Sequence, residues 1–123
     1  MLEKLFSSQS LTAVDSSGAS TFSRPIQVGE HNNANLTLNI RDIELLVGTP
    51  TVALTISAEG SNDGQNWTAI GGLGGTANSI GLIYSEGYVL FAWLRVHVAF
   101  TVSGAAHDQA AVVFCLQANM VTR

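Results

Sequence analysis

The side chains that could do chemistry are few and scattered. Three histidines occur, His31, His97 and His107, and no two of them stand at His-x-His or His-x₃-His spacing, so no zinc-type pair is encoded. Among nine acidic residues, only Asp42 and Glu44 share a face of an extended segment, a faint cation signal. Serines are plentiful, yet there is no Gly-x-Ser-x-Gly elbow and no alternation of strands and helices to carry one. The run Gly71-Gly-Leu-Gly-Gly75 is not followed by Gly-Lys-Ser/Thr and opens no helix. It reads as a flexible loop or an excursion at a sheet edge. Cys115 is the single cysteine and sits among Val112, Val113, Phe114 and Leu116, where a thiol is buried and inert. One cysteine forms no intrachain disulfide, which fits synthesis in a reducing compartment. The sequons at Asn35 and Asn66 read as accidents of a Thr/Asn-rich composition. The expectation is a non-enzymatic protein without catalytic, cofactor-binding or metal residues.

Composition narrows the alternatives. The chain has 123 residues, enough for one domain with one core. Charged residues make up 11%, against about 25% in an ordinary soluble domain. Apolar residues make up 46% and mean hydropathy is +0.29, which excludes disorder. A Glu/Lys-rich helical surface is missing, which excludes a coiled coil. Five basic residues stand against nine acidic ones, a net charge of −4, so phosphate neutralisation of a nucleic acid is not expected. The start Met1-Leu-Glu-Lys-Leu-Phe-Ser-Ser lacks a secretory apolar run. The longest apolar stretch, Tyr88 to Phe100, is broken by Arg95 and His97, so no membrane partner is expected. A surface this poor in charge suits either a neutral Thr/Asn-faced β-protein or one covered by other subunits.

The elements that must position these residues show a period of two. Leu36, Leu38 and Ile40 alternate with polar neighbours, as do Leu54, Ile56 and Ala58. The same holds for Leu94, Val96, Val98, Phe100 and Val102, and for Val112, Phe114, Leu116 and Ala118. Each is a strand with one face toward a core. Weaker strand signals cover 11–15, 22–30, 67–70 and 80–83. The segment 41–46 reads as strand continuation or a helical turn, and a short turn is possible at 2–6. Turn signals at 15–18, 29–33, 48–50, 61–64 and 103–108 separate the runs. Seven or eight short strands with such connections predict an all-β, antiparallel β-sandwich, jelly-roll-like, as a single domain over 11–123 with an N-terminal arm at 1–10.

The most specific local string is Glu59-Gly-Ser-Asn-Asp-Gly-Gln-Asn-Trp67. Ser61, Asn62 and Asp63 can satisfy turn amides, Gly60 and Gly64 can take the corner, and Trp67 can pack the hairpin on the sandwich. This string, with the later Trp93-Leu-Arg-Val-His-Val98, resembles the hairpin and following strand of galactose-binding-like, discoidin-type sandwiches. It is more similar to small structural proteins of tailed bacteriophages, which are short and lack signals, cysteine staples and catalytic motifs. The resemblance covers about 51–98.

That resemblance implies a virion structural protein, most specifically a capsid decoration (cement) protein. Its expected partners are the major capsid protein and copies of itself, as a homotrimer or homodimer. Its expected location is the capsid surface, after synthesis in the host cytoplasm. A carbohydrate- or host-surface-binding module, or a tail or neck component, is the alternative reading. For partner binding, the arm supplies Leu2, Leu5 and Phe6, and the outward stripe of a strand supplies Trp93, Arg95 and His97, since Trp and Arg anchor interfaces. The loop 71–79 and the turn 31–35 are second-choice contacts.

Overall fold

A computed structural model describes residues 1–123. Nine strands are formed and no helix. They are β1 (Leu2–Val14), β2 (Ala19–Phe22), β3 (Ile26–Gln27), β4 (Asn33–Val47), β5 (Thr51–Ser61), β6 (Thr68–Ala77), β7 (Gly81–Tyr88), β8 (Trp93–Ser103) and β9 (Gln109–Val121). One sheet has the order β1-β9-β4-β7; the other has β2-β8-β5-β6, with β3 also paired to β8. All pairings are antiparallel. With β2 and β3 taken as one interrupted strand, the chain shuttles between two four-stranded sheets and its last strand lies beside its first. That is a jelly roll, as the alternation predicted.

The alternating apolar residues face one another between the sheets. Leu36, Leu38 and Ile40 of β4 and Phe114, Leu116, Ala118 and Met120 of β9 are buried against Leu54 and Ile56 of β5 and Leu94, Val96, Val98 and Phe100 of β8. Moving any of these strands by one residue would turn its apolar set outward, so the core enforces the register.

Three expectations are corrected. The segment 1–10 is no arm: it is most of β1, running along β9 from Leu2 opposite Asn119 to Ser10 opposite Val113. The first residues gain order because Leu5 is buried in the core and Phe6 stacks edge-on against Phe114, 5.5 Å between ring centroids. The helical turn considered at 2–6 does not form. The glycine run takes the sheet-edge alternative: Gly71–Ala77 belongs to β6, the outer strand of its sheet, Leu73 is buried, and Gly72 and Gly74 take positive φ at 78° and 150°. At Gly74 a Cβ would collide with the Ile56 carbonyl oxygen, so glycine there is a close-approach requirement. Cys115 is not buried: it is half-exposed on the outward face of β9, because the alternation puts its neighbours Phe114 and Leu116 in the core instead. Segment 41–46 continues β4.

Candidate interaction surfaces

The stripe Trp93, Arg95 and His97 lies on the outward face of β8. Register places Trp93 opposite Ser61, Arg95 opposite Glu59 and His97 opposite Ser57 of β5, and His97 opposite Phe22 of β2. Arg95 Nε donates to Glu59 Oε1 at 2.7 Å. Its guanidinium carbon lies 4.1 Å from the centre of the Phe22 ring and 4.3 Å from that of Trp67. His97 stacks on Phe22 at 4.6 Å. Three different segments thus converge on this cation of β8: β2, β5 and the β5–β6 connection. The arrangement stiffens the outer face of this sheet, because the planar guanidinium uses its edge for the carboxylate and its faces for the rings. Trp93, Arg95 and His97 are each half-buried by these neighbours.

The hairpin containing Asp63 is built as its residue types suggested. The Ser61 hydroxyl accepts from the Gly64 amide at 2.8 Å and donates to Asp63 Oδ1 at 2.9 Å. Asp63 Oδ1 also accepts the amides of Gln65 and Asn66, each at 2.8 Å, and Oδ2 accepts from the Asn66 side chain. These donors, the Asn66 and Gln65 amides foremost, hold the carboxyl far below the usual carboxylate range. The cluster spends its acceptors internally. Asn62 reaches across to the Ala92 amide at 3.2 Å, tying the hairpin to the start of β8.

Of the N-terminal candidates, Leu2 is exposed, Phe6 is half-buried and Leu5 faces the core. Asp42 and Glu44 are exposed on β4, and no group of three or more His, Cys, Asp or Glu side chains comes together to hold a metal. His31 and His107 lie in turns, as expected from their neighbours.

One surface escaped the sequence reading. Strand β7 is the outer edge of its sheet and turns Leu82, Tyr84 and Tyr88 to solvent, with Ile80 before it and Leu90 after it. Leu82 is 71% and Leu90 79% exposed. Leu45, Leu46 and Val47 are also exposed, at the far end of neighbouring β4. Edge strands are ordinarily guarded by lysine, proline or bulges. Here β7 carries only Glu86, already bridged to Arg123 at 3.0 Å. The signal was present in the alternation Leu82-x-Tyr84-x-Glu86-x-Tyr88. Only 80–83 was read as a weak strand, and alternation does not say which face is covered.

No family model matches the sequence, and a search of curated proteins finds no match. Solved structures do match in shape. A structure of infectious bursal disease virus, Gx strain, aligns with TM-score 0.61 and 10% identity over 98% of this chain and 32% of that one. The VP2 subviral particle of infectious bursal disease virus aligns with TM-score 0.61 and 11% identity over 99% and 32%. The PBSX exported protein XepA aligns with TM-score 0.60 and 12% identity over 100% and 37%. This chain therefore spans about a third of the length of these solved structures. At such identities the likeness is one of fold: the same β-sandwich occurs in the VP2 subviral particle and in the PBSX exported protein XepA.

Proposed function

We propose that this chain is a non-enzymatic structural protein of a virion, and within that class a capsid decoration protein that binds the outer shell and associates with its own copies. The observation that carries the reading is the unguarded apolar edge at β7 on a jelly roll with an exterior poor in charge. A row of large apolar side chains exposed along one strand marks an association site. The fold likeness to the VP2 subviral particle of infectious bursal disease virus and to the PBSX exported protein XepA supports the same class. The mechanism is mass action. A protein that binds only the assembled, expanded shell stabilises that state by its binding free energy, multiplied over many identical sites. About 1,600 Å² of total buried surface per copy suffices for firm attachment.

Cosedimentation tests the reading. The purified chain is mixed with expanded and unexpanded capsids from a tailed phage whose genome encodes it, both lacking the chain. Selective pelleting with expanded shells is expected, and so is weaker pelleting by the doubly substituted Tyr84→Lys, Tyr88→Lys protein. Failure to pellet with either form, together with binding of the isolated domain on a glycan array, would replace this proposal with the carbohydrate-binding alternative.

A further inference from the structure

Of the five basic side chains, three are spent on ion pairs: Arg24 with Glu3, Arg95 with Glu59 and Arg123 with Glu86. The remaining two, Lys4 and Arg41, border the same groove of about 240 Å³. The groove lies on the outward face of the β1-β9-β4-β7 sheet, opposite in the molecule to the Arg95 stripe. Its floor and walls include Thr37 and Asn39 of β4, Gln117 of β9 and Leu82 of β7.

Three register shifts flank the groove. On β1 the register runs from Lys4 opposite Gln117 to Phe6 opposite Leu116 and then to Gln9 opposite Phe114, so β1 carries an extra residue in each of these two steps. On β4, Ile40 lies opposite Phe114 and Asp42 opposite Val113, so Arg41 is itself the extra residue. Bulges re-aim side chains and recur beside binding sites. Here all three flank the same stretch of β9.

We propose that this groove binds an acidic segment of a partner protein, seating an Asp or Glu side chain between Lys4 and Arg41. The charge argument is complementarity: the chain's unspent cations meet at one place, and a carboxylate is the group they fit. The polar lining favours a peptide over a phosphate. Thr37, Asn39 and Gln117 each both donate and accept, as a peptide backbone does, whereas a phosphate chiefly accepts. A sugar acid is less well served, because the aromatic ring at the groove, Phe6, is engaged edge-on with Phe114. Leu82 supplies an apolar wall for the aliphatic part of a Glu side chain. The inference rests on the structural-protein reading only in placing the segment on a neighbouring protein of the particle.

The test is an amide-resolved NMR titration of the full chain with the peptide Ac-Thr-Glu-Thr-Glu-Thr-NH₂, its Gln counterpart, inorganic phosphate and sodium glucuronate. Shifts centred on Thr37, Asn39 and Gln117 are expected with the Glu peptide, at least tenfold weaker binding with the Gln peptide, and slower alkylation of Cys115 in the presence of the Glu peptide. Lys4→Ala and Arg41→Ala should each weaken binding three- to tenfold, and together abolish it, without lowering the melting temperature by more than a degree or two. Equal binding of the Gln peptide, unchanged binding by the double variant, phosphate or glucuronate binding as tightly at the same residues, or no binding at all would overturn the proposal. The capsid experiment reads side chains outside the groove lining, through Tyr84→Lys, Tyr88→Lys and an intact shell. Loss of peptide binding with retained pelleting therefore condemns the groove alone, and the converse condemns the decoration reading alone.

Discussion

Arg95 and Glu59 stand directly opposite one another on β8 and β5, 2.7 Å apart between Nε and Oε1, with each side chain about a quarter exposed. An exposed pair of this kind contributes little. This one is reinforced by the Phe22 and Trp67 rings on the guanidinium. Arg95→Ala should therefore cost about 1–2 kcal/mol, a fall in melting temperature of roughly 5 °C. Arg95→Lys should recover only part, because an ammonium has no flat face to lie between two rings. Thermal unfolding of the three proteins checks this. Full recovery by lysine would mean that charge alone matters and that the stacking contributes nothing.

The Asp63 carboxylate gives the fold a defined acid sensitivity. Folding holds its pKa below the usual value, through the Asn66 and Gln65 amides and the side chains of Asn66 and Ser61. Its contribution is thus fully present above the unfolded value near 4 and is lost as pH falls below that toward the folded value. Urea midpoints should be flat with respect to this group between pH 5 and 7 and should decline below about pH 4. Asp63→Asn, which keeps one acceptor but cannot titrate, should be less stable than the parent at neutral pH. The gap should narrow as pH falls from 4 to 2.5. A constant gap over that range would show that Asp63 ionisation is not linked to folding.

Gly60 lies in β5 where the Phe91 ring packs directly over its backbone, so that an added Cβ would overlap the ring. Gly60→Ala should destabilise by about 1–3 kcal/mol, the usual cost of overpacking. Phe91→Leu, which shortens the neighbour, should lower that cost when combined with it. A double-mutant cycle in urea measures the coupling. Additive effects would show that Gly60 is required for backbone reasons unrelated to Phe91.

The sandwich was legible because Leu36, Leu38 and Ile40, and their counterparts in β5, β8 and β9, repeat with a strict period of two over long strands. What was not legible follows from local interruptions of that period. In β1, Leu5 is followed by Phe6 and then by Ser7, Ser8 and Gln9, because bulges break the alternation; without a visible period the strand looked like an arm. Arg41 hides its own bulge in the same way. Glycines between Gly71 and Gly75 read equally as loop or as sheet-edge excursion, because sequence does not show that Gly74 lets β6 approach Ile56. Among candidate surfaces, Trp93, Arg95 and His97 were correctly placed on an outward face, since alternation fixes sides. Their partners Phe22 and Trp67 come from distant segments and only tertiary pairing brings them together. The same limit concealed the groove, whose two cations are 37 positions apart in sequence.

The strand at the N-terminus makes a prediction opposite to that for a detachable arm. Leu5 is 7% exposed, Phe6 supports Phe114, and the terminal ammonium donates to the Met120 carbonyl at 2.7 Å, so β1 shields one side of β9. Leu5→Ala should cost about 2–4 kcal/mol through the cavity it leaves, while the exposed Leu2→Ala should cost less than about 0.5 kcal/mol. Deleting residues 1–10 removes most of β1 and leaves the hydrogen-bonding edge of β9 open, a template for intermolecular pairing. The truncated chain should melt well below the full one and should self-associate, as read by calorimetry and light scattering. Were it instead to remain monomeric with an unchanged melting temperature, β1 would be dispensable to the sandwich and free to act as an arm after all.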